Sequence, residues 1–381
     1  MYFFIGACFG TALLVAWGAT WAIVRIAPSV GLVDFPSERK VHTAPTPLGG
    51  GLAIWLAVII PLGSGQAAAW LLVRGYLPAS WLPSELVPHL EGVLYRSGQM
   101  WAVVAAGTAL TVLGLLDDLR NLPWAPRLIV QALIAVGLVA GAGVRATVFV
   151  PYPWVGLFLS VLWILVLINA FNFLDNMDGL SSGIAFISSA LFAAIMLVGT
   201  SEPHWLVGGV LLVLAGALAG FLWFNWPPAR VFMGDSGSYF IGLMLACATL
   251  LGTFYEFETS GGEHRHVILA PVFILAVPLY DFCSVILIRL REGRSPFHPD
   301  KSHFSHRLVQ MGFAPRNAVL TIHLATLTTG LGGLLLYRVR DWFSALLIAF
   351  LIACVLAIVG ILETVGRGAN GGRNTGTEAG G

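Results

Sequence analysis

Long apolar runs alternate with short polar stretches along almost the whole chain. The runs fall at roughly 2–26, 48–65, 98–116, 127–143, 152–168, 179–199, 204–223, 237–254, 267–288, 316–336 and 343–362, each close to the ~20 residues that one bilayer crossing needs. This pattern predicts an all-α, polytopic integral membrane protein with about 11 transmembrane helices. An odd number of crossings leaves the two termini on opposite faces. With the N-terminus outside and the C-terminus cytoplasmic, six of the 20 Lys and Arg residues (Arg74, Arg96, Arg145, Arg265, Arg338 and Arg340) lie outside and the other 14 inside. The positive-inside rule favours that orientation.

Residues 1–365 read as one membrane domain without internal repeats, and 366–381 as a disordered, Gly-rich cytoplasmic tail. The outer segment 66–97 carries Trp70, Tyr76, Trp81 and Tyr95, which predict an interfacial helix anchored by its aromatic rings.

Composition agrees with the pattern and narrows the partners. Of 381 residues, 57% are hydrophobic and 10% charged, with a mean hydropathy of +0.85, well outside the range of soluble globular chains. A net charge of +1 gives no basic footprint for nucleic acid. Cys8, Cys247, Cys283 and Cys354 are scattered in apolar runs without metal-ligand spacing and read as small membrane-helix residues. The N-terminus lacks a basic leader region and is already long enough to span, so a signal peptide is not expected.

Five acids stand where apolar runs stop: Asp117 and Asp118, Asp175 and Asp178, and Asp235. A carboxylate at membrane depth costs about 2.5–3.5 kcal/mol or more, so such residues are functional candidates by default. In the predicted topology the loops 34–47, 117–126, 169–178, 224–236 and 289–315 share the cytoplasmic face, and they hold all five. Mg²⁺ prefers oxygen ligands and is typically held by one or two carboxylates together with substrate phosphates. Asp235 is the sharpest candidate, in Gly234-Asp235-Ser236-Gly237-Ser238 at a helix start, where free N–H groups also attract phosphate. The same position also suits a helix cap. Asp117 and Asp118 point about 100° apart on a helix and so serve different partners. Asn169, Asn172, Asp175 and Asp178 recur every third residue; successive members can meet, but all four cannot share one stripe.

The loop from Arg289 to Arg307 is basic and histidine-rich, with Arg294, His298, Lys301, His303 and His306. It reads either as topology-fixing charge or as groups that hold phosphates. Zinc lacks a convincing third ligand there. Asp281, inside the ninth run, reads equally as functional or as a hydrogen bond to another helix.

In this order the motifs resemble the polyprenyl-phosphate N-acetylhexosamine-1-phosphate transferases, the glycosyltransferase family 4 type. The resemblance runs from about residue 31 to 315 and rests on several motifs. These are Asp34-Phe-Pro-Ser-Glu-Arg39-Lys40-Val-His42, Pro45-Thr-Pro47-Leu-Gly49-Gly50, Asp117-Asp118, Asn169-Ala-Phe-Asn172-Phe-Leu-Asp175, Asp178-Gly179, Asn225 and Val231-Phe-Met-Gly234-Asp235-Ser-Gly237-Ser238. It is closer to the undecaprenyl-phosphate GlcNAc-1-phosphate branch than to the lipid I translocase. Two positions depart from the family pattern: Asn176 stands where Gly is usual, and Ser305 where the middle histidine of His-x-His-His is usual.

The resemblance implies a multi-pass inner-membrane enzyme with a cytoplasmic active site. It would move a sugar 1-phosphate from a UDP-N-acetylhexosamine to a polyprenyl phosphate, release UMP and use Mg²⁺, with Mn²⁺ tolerated. Its product would enter cell-wall or lipopolysaccharide synthesis, and a homodimer is compatible with it. Carried across, Asp235, Asn172 and Asp175 fall at the metal. Asp117, Asp118, Asp178 and His303 take catalytic roles, the first two at the acceptor phosphate. Lys40, Asn169, Asn225, Arg294 and His306 bind substrate. The alternatives are a phospho-MurNAc-pentapeptide transferase making lipid I and, from another class, an ion-coupled transporter. The transporter predicts acids near the midplane and repeated halves. A CDP-alcohol phosphotransferase needs Asp-Gly-x-x-Ala-Arg, whereas Asp178-Gly179 is followed by Leu-Ser-Ser-Gly.

Overall fold

A computed structural model describes residues 1–36, 44–146, 152–200, 202–252, 265–297 and 302–371, with side chains through 361. Ten helices are long and apolar enough to cross a membrane, or eleven if one bent pair counts as a span. In chain order they are α1 (Tyr2–Val30), α2 (Gly50–Val73), α3 (Leu90–Arg120), α4 (Trp124–Gly141), α5 (Pro153–Leu174), α6 (Leu180–Gly199), α7 (Trp205–Asn225) and α8 (Gly234–Leu251). The bent pair α9 (Arg265–Ile274) and α10 (Ala276–Arg291) comes next, then the short α11 (Phe304–Gln310), α12 (Pro315–Leu335) and α13 (Trp342–Gly371). The all-helical, many-span architecture expected from the apolar pattern is therefore present.

Three local features differ from that pattern. The run 267–288 is two helices bent by 65°, because Pro278 has no N–H and its ring clashes with the carbonyl of Ile274, four residues back. Helix α2 continues past Gly65 to Val73, since Ala67, Ala68 and Ala69 are strong helix formers. Segment 66–97 forms no separate interfacial helix: between α2 and α3 stand single turns at Ala79–Trp81 and Val87–His89. Of its aromatics, Trp70 and Tyr76 stack at 5.8 Å. At the C-terminus α13 runs to Gly371, and the rest of the expected tail lies outside the described residues.

Helix α8 sits at the centre, and its packing partners approach through glycine. Lipid tails are as apolar as leucine, so helices in a bilayer associate by close packing and not by burying apolar surface. A Cβ on Gly51 of α2 would stand 2.2 Å from the Gly237 nitrogen, and one on Gly242 of α8 would stand 2.6 Å from Ile168 Cα of α5. On α3 a Cβ at Gly114 would meet the backbone of Asp235 and Ser236 at 2.3–2.5 Å. These contacts draw the ends of α3, α5 and α8 together. A two-residue antiparallel ladder, β1 (Val33–Asp34) with β2 (Thr46–Pro47), covers the same end, and Pro47 accepts a hydrogen bond from Phe232 just before α8.

Candidate active site

The acidic ends of these helices enclose one cavity of about 510 Å³, lined among others by Asp34, Asp117, Asp118, Arg127, Asp175, Asp178, Asp235 and His306. All five acids singled out in the sequence thus meet at one place, at one end of the bundle.

Helix α3 delivers two carboxylates with different surroundings. Asn121 closes the helix in a left-handed conformation, φ 49°, and the following Leu122 N–H donates to Asp117 Oδ1 at 2.7 Å. The other oxygen of Asp117 takes a hydrogen bond from Arg127, in the first turn of α4. Asp118 faces α8. Its Oδ1 accepts the Asp235 N–H at 2.9 Å and its Oδ2 the Ser236 N–H at 3.4 Å, so it caps that helix and satisfies the positive end of its dipole. The approach leaves no room at Gly234, where φ is +72° and a Cβ would lie 2.5 Å from Asp118 Oδ2. The capping role thus belongs to Asp118, and Asp235 is freed to face the cavity.

Around Asp235 the partners are cationic or donating. Asn172 of α5 donates to Asp235 Oδ1 at 2.8 Å and to Ser238 Oγ at 3.1 Å. Arg127 Nη1 lies 3.2 Å from Asp235 Oδ2 and 3.1 Å from the Tyr239 hydroxyl. That hydroxyl is 3.3 Å from Asp117 Oδ2 and 3.2 Å from Asp235 Oδ2. One guanidinium and one phenol therefore bridge two carboxylates from helices far apart in sequence.

The turn between α5 and α6 supplies the other acids. Burial first, then the charges of Asp118 and Asp178, push the Asp175 carboxyl up to about 8, against a hydrogen bond from the Gly234 N–H. Asp178 Oδ2 accepts the Ala229 N–H at 2.9 Å.

The remaining sequence candidates are placed unequally. Asn225 is 3% exposed and its amide is engaged throughout, with Gly179 N–H, Ser182 Oγ and the Val231 carbonyl. It therefore fastens loops together at the cavity wall. Asn169 points away, donating to Gln131 and the Leu165 carbonyl. Arg294 pairs with Glu292 outside the cavity lining. His303 lies behind the wall: its Nδ1 is 2.8 Å from Asp281 Oδ2, while Asp281 Oδ1 accepts the Phe304 N–H at 2.9 Å. The question left open for Asp281 resolves as a link between α10 and the start of α11. His306, one turn on, reaches the cavity. Lys40 lies outside the described residues.

Arg127 and Tyr239 carried no motif signal. In the sequence Arg127 is one of the inside charges and nothing more.

The donor set suits a hard cation. Among the described residues no three His, Cys, Asp or Glu side chains come together so as to hold a metal by themselves, and the cavity offers carboxylate oxygens with Arg127 beside them. That is the chemistry of a cation completed by substrate phosphate oxygens, as Mg²⁺ prefers. Phosphate groups would meet Arg127 and His306, which also line the cavity.

Comparison with known proteins identifies the family. Residues 100–253 match the model of glycosyl transferase family 4, and that range holds all five acids, Arg127 and Tyr239. The chain is 34% identical over 379 residues to the decaprenyl-phosphate N-acetylglucosaminephosphotransferase of Mycobacterium tuberculosis (strain ATCC 25618 / H37Rv), covering 93% of this chain and 88% of the relative. It is 34% identical over 378 residues to the protein of the same name in Mycobacterium leprae (strain TN), covering 93% and 89%. It is 31% identical over 347 residues to the undecaprenyl-phosphate alpha-N-acetylglucosaminyl 1-phosphate transferase of Salmonella typhi, covering 87% and 84%. With likeness spread over nearly its whole length and the five acids of the cavity inside the matched segment, the chain belongs to glycosyl transferase family 4.

Proposed function

We propose that the protein transfers a sugar 1-phosphate, GlcNAc-1-phosphate, from a UDP-sugar to a membrane polyprenyl phosphate, releasing UMP. The step would open the synthesis of a lipid-linked cell-envelope glycan. The observation that carries this reading is the convergence of carboxylates from α3, α8 and the α5–α6 turn, with Arg127, around one cavity at the end of the bundle. The activities for which the relatives are named supply the substrate class. The distribution of Lys and Arg supports a cytoplasmic cavity and C-terminus, with an outside N-terminus, in the inner membrane.

In the proposed step an oxygen of the polyprenyl phosphate attacks the phosphorus that bears the sugar. The bond from that phosphorus to the bridging oxygen breaks, and the electron pair leaves with UMP. Such transfer depends on positioning and charge stabilisation more than on covalent help. A lipid phosphate is already largely ionised near neutral pH, so direct attack needs no strong base. A bound Mg²⁺, held by Asp235 with Asp117 or Asp175 nearby, would neutralise charge on the diphosphate. Asn172 and Tyr239 orient Asp235. Arg127 keeps two carboxylates close and offers a cation to phosphate oxygens. Asp118 holds the start of α8 in register as its cap, and Asp178 holds the opposite wall through Ala229.

The test is direct. Purified protein is incubated with polyprenyl phosphate, Mg²⁺ and radiolabelled UDP-GlcNAc, and lipid-linked radioactivity is measured. Failure to label lipid with UDP-GlcNAc and with every other UDP-N-acetylhexosamine overturns the reading.

A further inference from the structure

The two positions at which the chain departs from the family pattern touch each other. The Ser305 hydroxyl donates to Asn176 Oδ1 at 2.6 Å, and Asn176 Nδ2 donates to the Phe173 carbonyl in the last turn of α5 at 2.7 Å. A carbonyl can only accept, so the amide orientation is fixed and its oxygen is the end that faces serine. We propose that Asn176 and Ser305 form a latch that docks helix α11 on the acidic turn 175–179 and so sets the place of His306 in the cavity. The proposal rests on the transferase reading for its kinetic consequence but not for its structural one.

Helix α11 spans seven residues, far too few to hold a position by its own helicity. Phe304 and Leu308 seat it in the core, and two polar contacts set how it is turned. Asp281 binds its first N–H on one side, and the latch binds Ser305, itself 2% exposed, on the other. Ser305 and His306 are adjacent and point about 100° apart, so with serine turned to Asn176, histidine turns to the cavity that Asp175, Asp178 and Asp235 also line. A glycine at 176 would offer serine no acceptor and leave the end of α5 without its donor. Asn176 and Ser305 thus act as one unit, the second residue needing the first. Ser305 lies off the cavity lining and is a positioning residue, whereas Asn176 also stands in that lining; Ser305→Ala therefore reads the effect that passes through His306, which stands where a nucleotide diphosphate would be held.

The experiment is a double-mutant cycle on the full-length protein in detergent: Asn176→Ala, Ser305→Ala and the pair, with kinetics and thermal melting measured on each. Each single change is expected to raise the KM for the UDP-sugar about fivefold, equivalent to about 1 kcal/mol, with the KM for polyprenyl phosphate unchanged. The double mutant is expected to match the singles and not multiply them, and the melting temperatures to be non-additive in the same way. A multiplied donor KM in the pair, an unchanged donor KM in the singles, or an equal rise for both substrates overturns the proposal. Absence of lipid-linked sugar from the unmutated protein would instead overturn the transferase reading. Melting non-additivity would then decide the latch alone, present if it holds and absent if the two losses add.

Discussion

Gly114→Ala is the sharpest probe of how packing places the site. Gly114 lies on α3 one turn before Asp118, where α3 crosses the start of α8. A Cβ there would stand 2.3 Å from the Ser236 nitrogen, 2.4 Å from the Asp235 carbonyl carbon and 2.5 Å from its oxygen. All three are backbone atoms and cannot swing aside as a side-chain tip can. Ordinary contact begins at 3.4 Å, so α3 and α8 must separate locally by about 1 Å, and overpacking of this kind costs roughly 1–3 kcal/mol. The same movement stretches the 2.9 Å bond from the Asp235 N–H to Asp118 and shifts Asp117 relative to Asp235. A misplacement of about 1 Å can lower turnover ~100-fold, or ~2.7 kcal/mol of barrier. The assay is transfer of labelled sugar phosphate to polyprenyl phosphate by monodisperse protein, with melting followed in parallel. Gly137→Ala is the control, because a Cβ there meets nothing within 4 Å; its activity should match the parent. A Gly114→Ala protein working within about threefold of the parent would refute the claim that this crossing sets the site.

Four further outcomes follow from the same geometry. Asp235→Asn should abolish transfer at ordinary Mg²⁺ by removing charge from the cation site; retained activity would place the metal elsewhere. Asp118→Asn should lower both activity and melting temperature, since a charge-assisted bond to a helix start contributes about 1.5–3 kcal/mol, and an unchanged melting temperature would exclude the capping role. Arg127→Lys should lose at least about tenfold in turnover, because one nitrogen, Nη1, held by a planar guanidinium, reaches Asp117, Asp235 and Tyr239 together, and a flexible, strongly hydrated ammonium does not reproduce that placement; parent-like rates would count against that bridge. In chelator, melting temperature should fall as pH rises toward about 8. The unfolded Asp175 ionises near 3.8 while the folded one holds its proton to about 8, so the folded form is favoured at low pH and loses that advantage through this window. Added Mg²⁺ should reverse the loss at pH 8.5, and Asp175→Asn should flatten the profile.

Much of this was legible because membrane burial makes polar residues conspicuous. Among nineteen acidic residues in a chain of 381, the five at the ends of apolar runs that share one predicted face are the ones that gather around the cavity. What the one-dimensional pattern does not encode is which oxygen meets which donor. Asp118 and Asp235 look alike as acids beside glycine or leucine, and only the crossing at Gly114 makes one the cap and the other the cavity ligand. Asn169 and Asn172 are three residues apart in one motif, yet the helix turns Asn172 to Asp235 and Asn169 to Gln131.

Arg127 shows the same limit from the other side. As a basic residue at a helix start on the predicted inner face it is explained fully by the positive-inside rule, and no motif marks it. Its chemistry arises only because α4 starts beside the end of α3, ten residues from Asp117 and 108 from Asp235. Without that guanidinium, two carboxylates would face each other in a poorly solvated cavity and repel. With it, the pair can stay close without any other cation, and in the proposed reaction a diphosphate entering with its own cation would find the acids already gathered. Arg127 then has a second role available, turning from carboxylate to phosphate as the cation takes over the acids. The Lys variant separates the two roles: a loss of turnover without a loss of melting temperature assigns Arg127 to the substrate, and equal losses of both assign it to the acids.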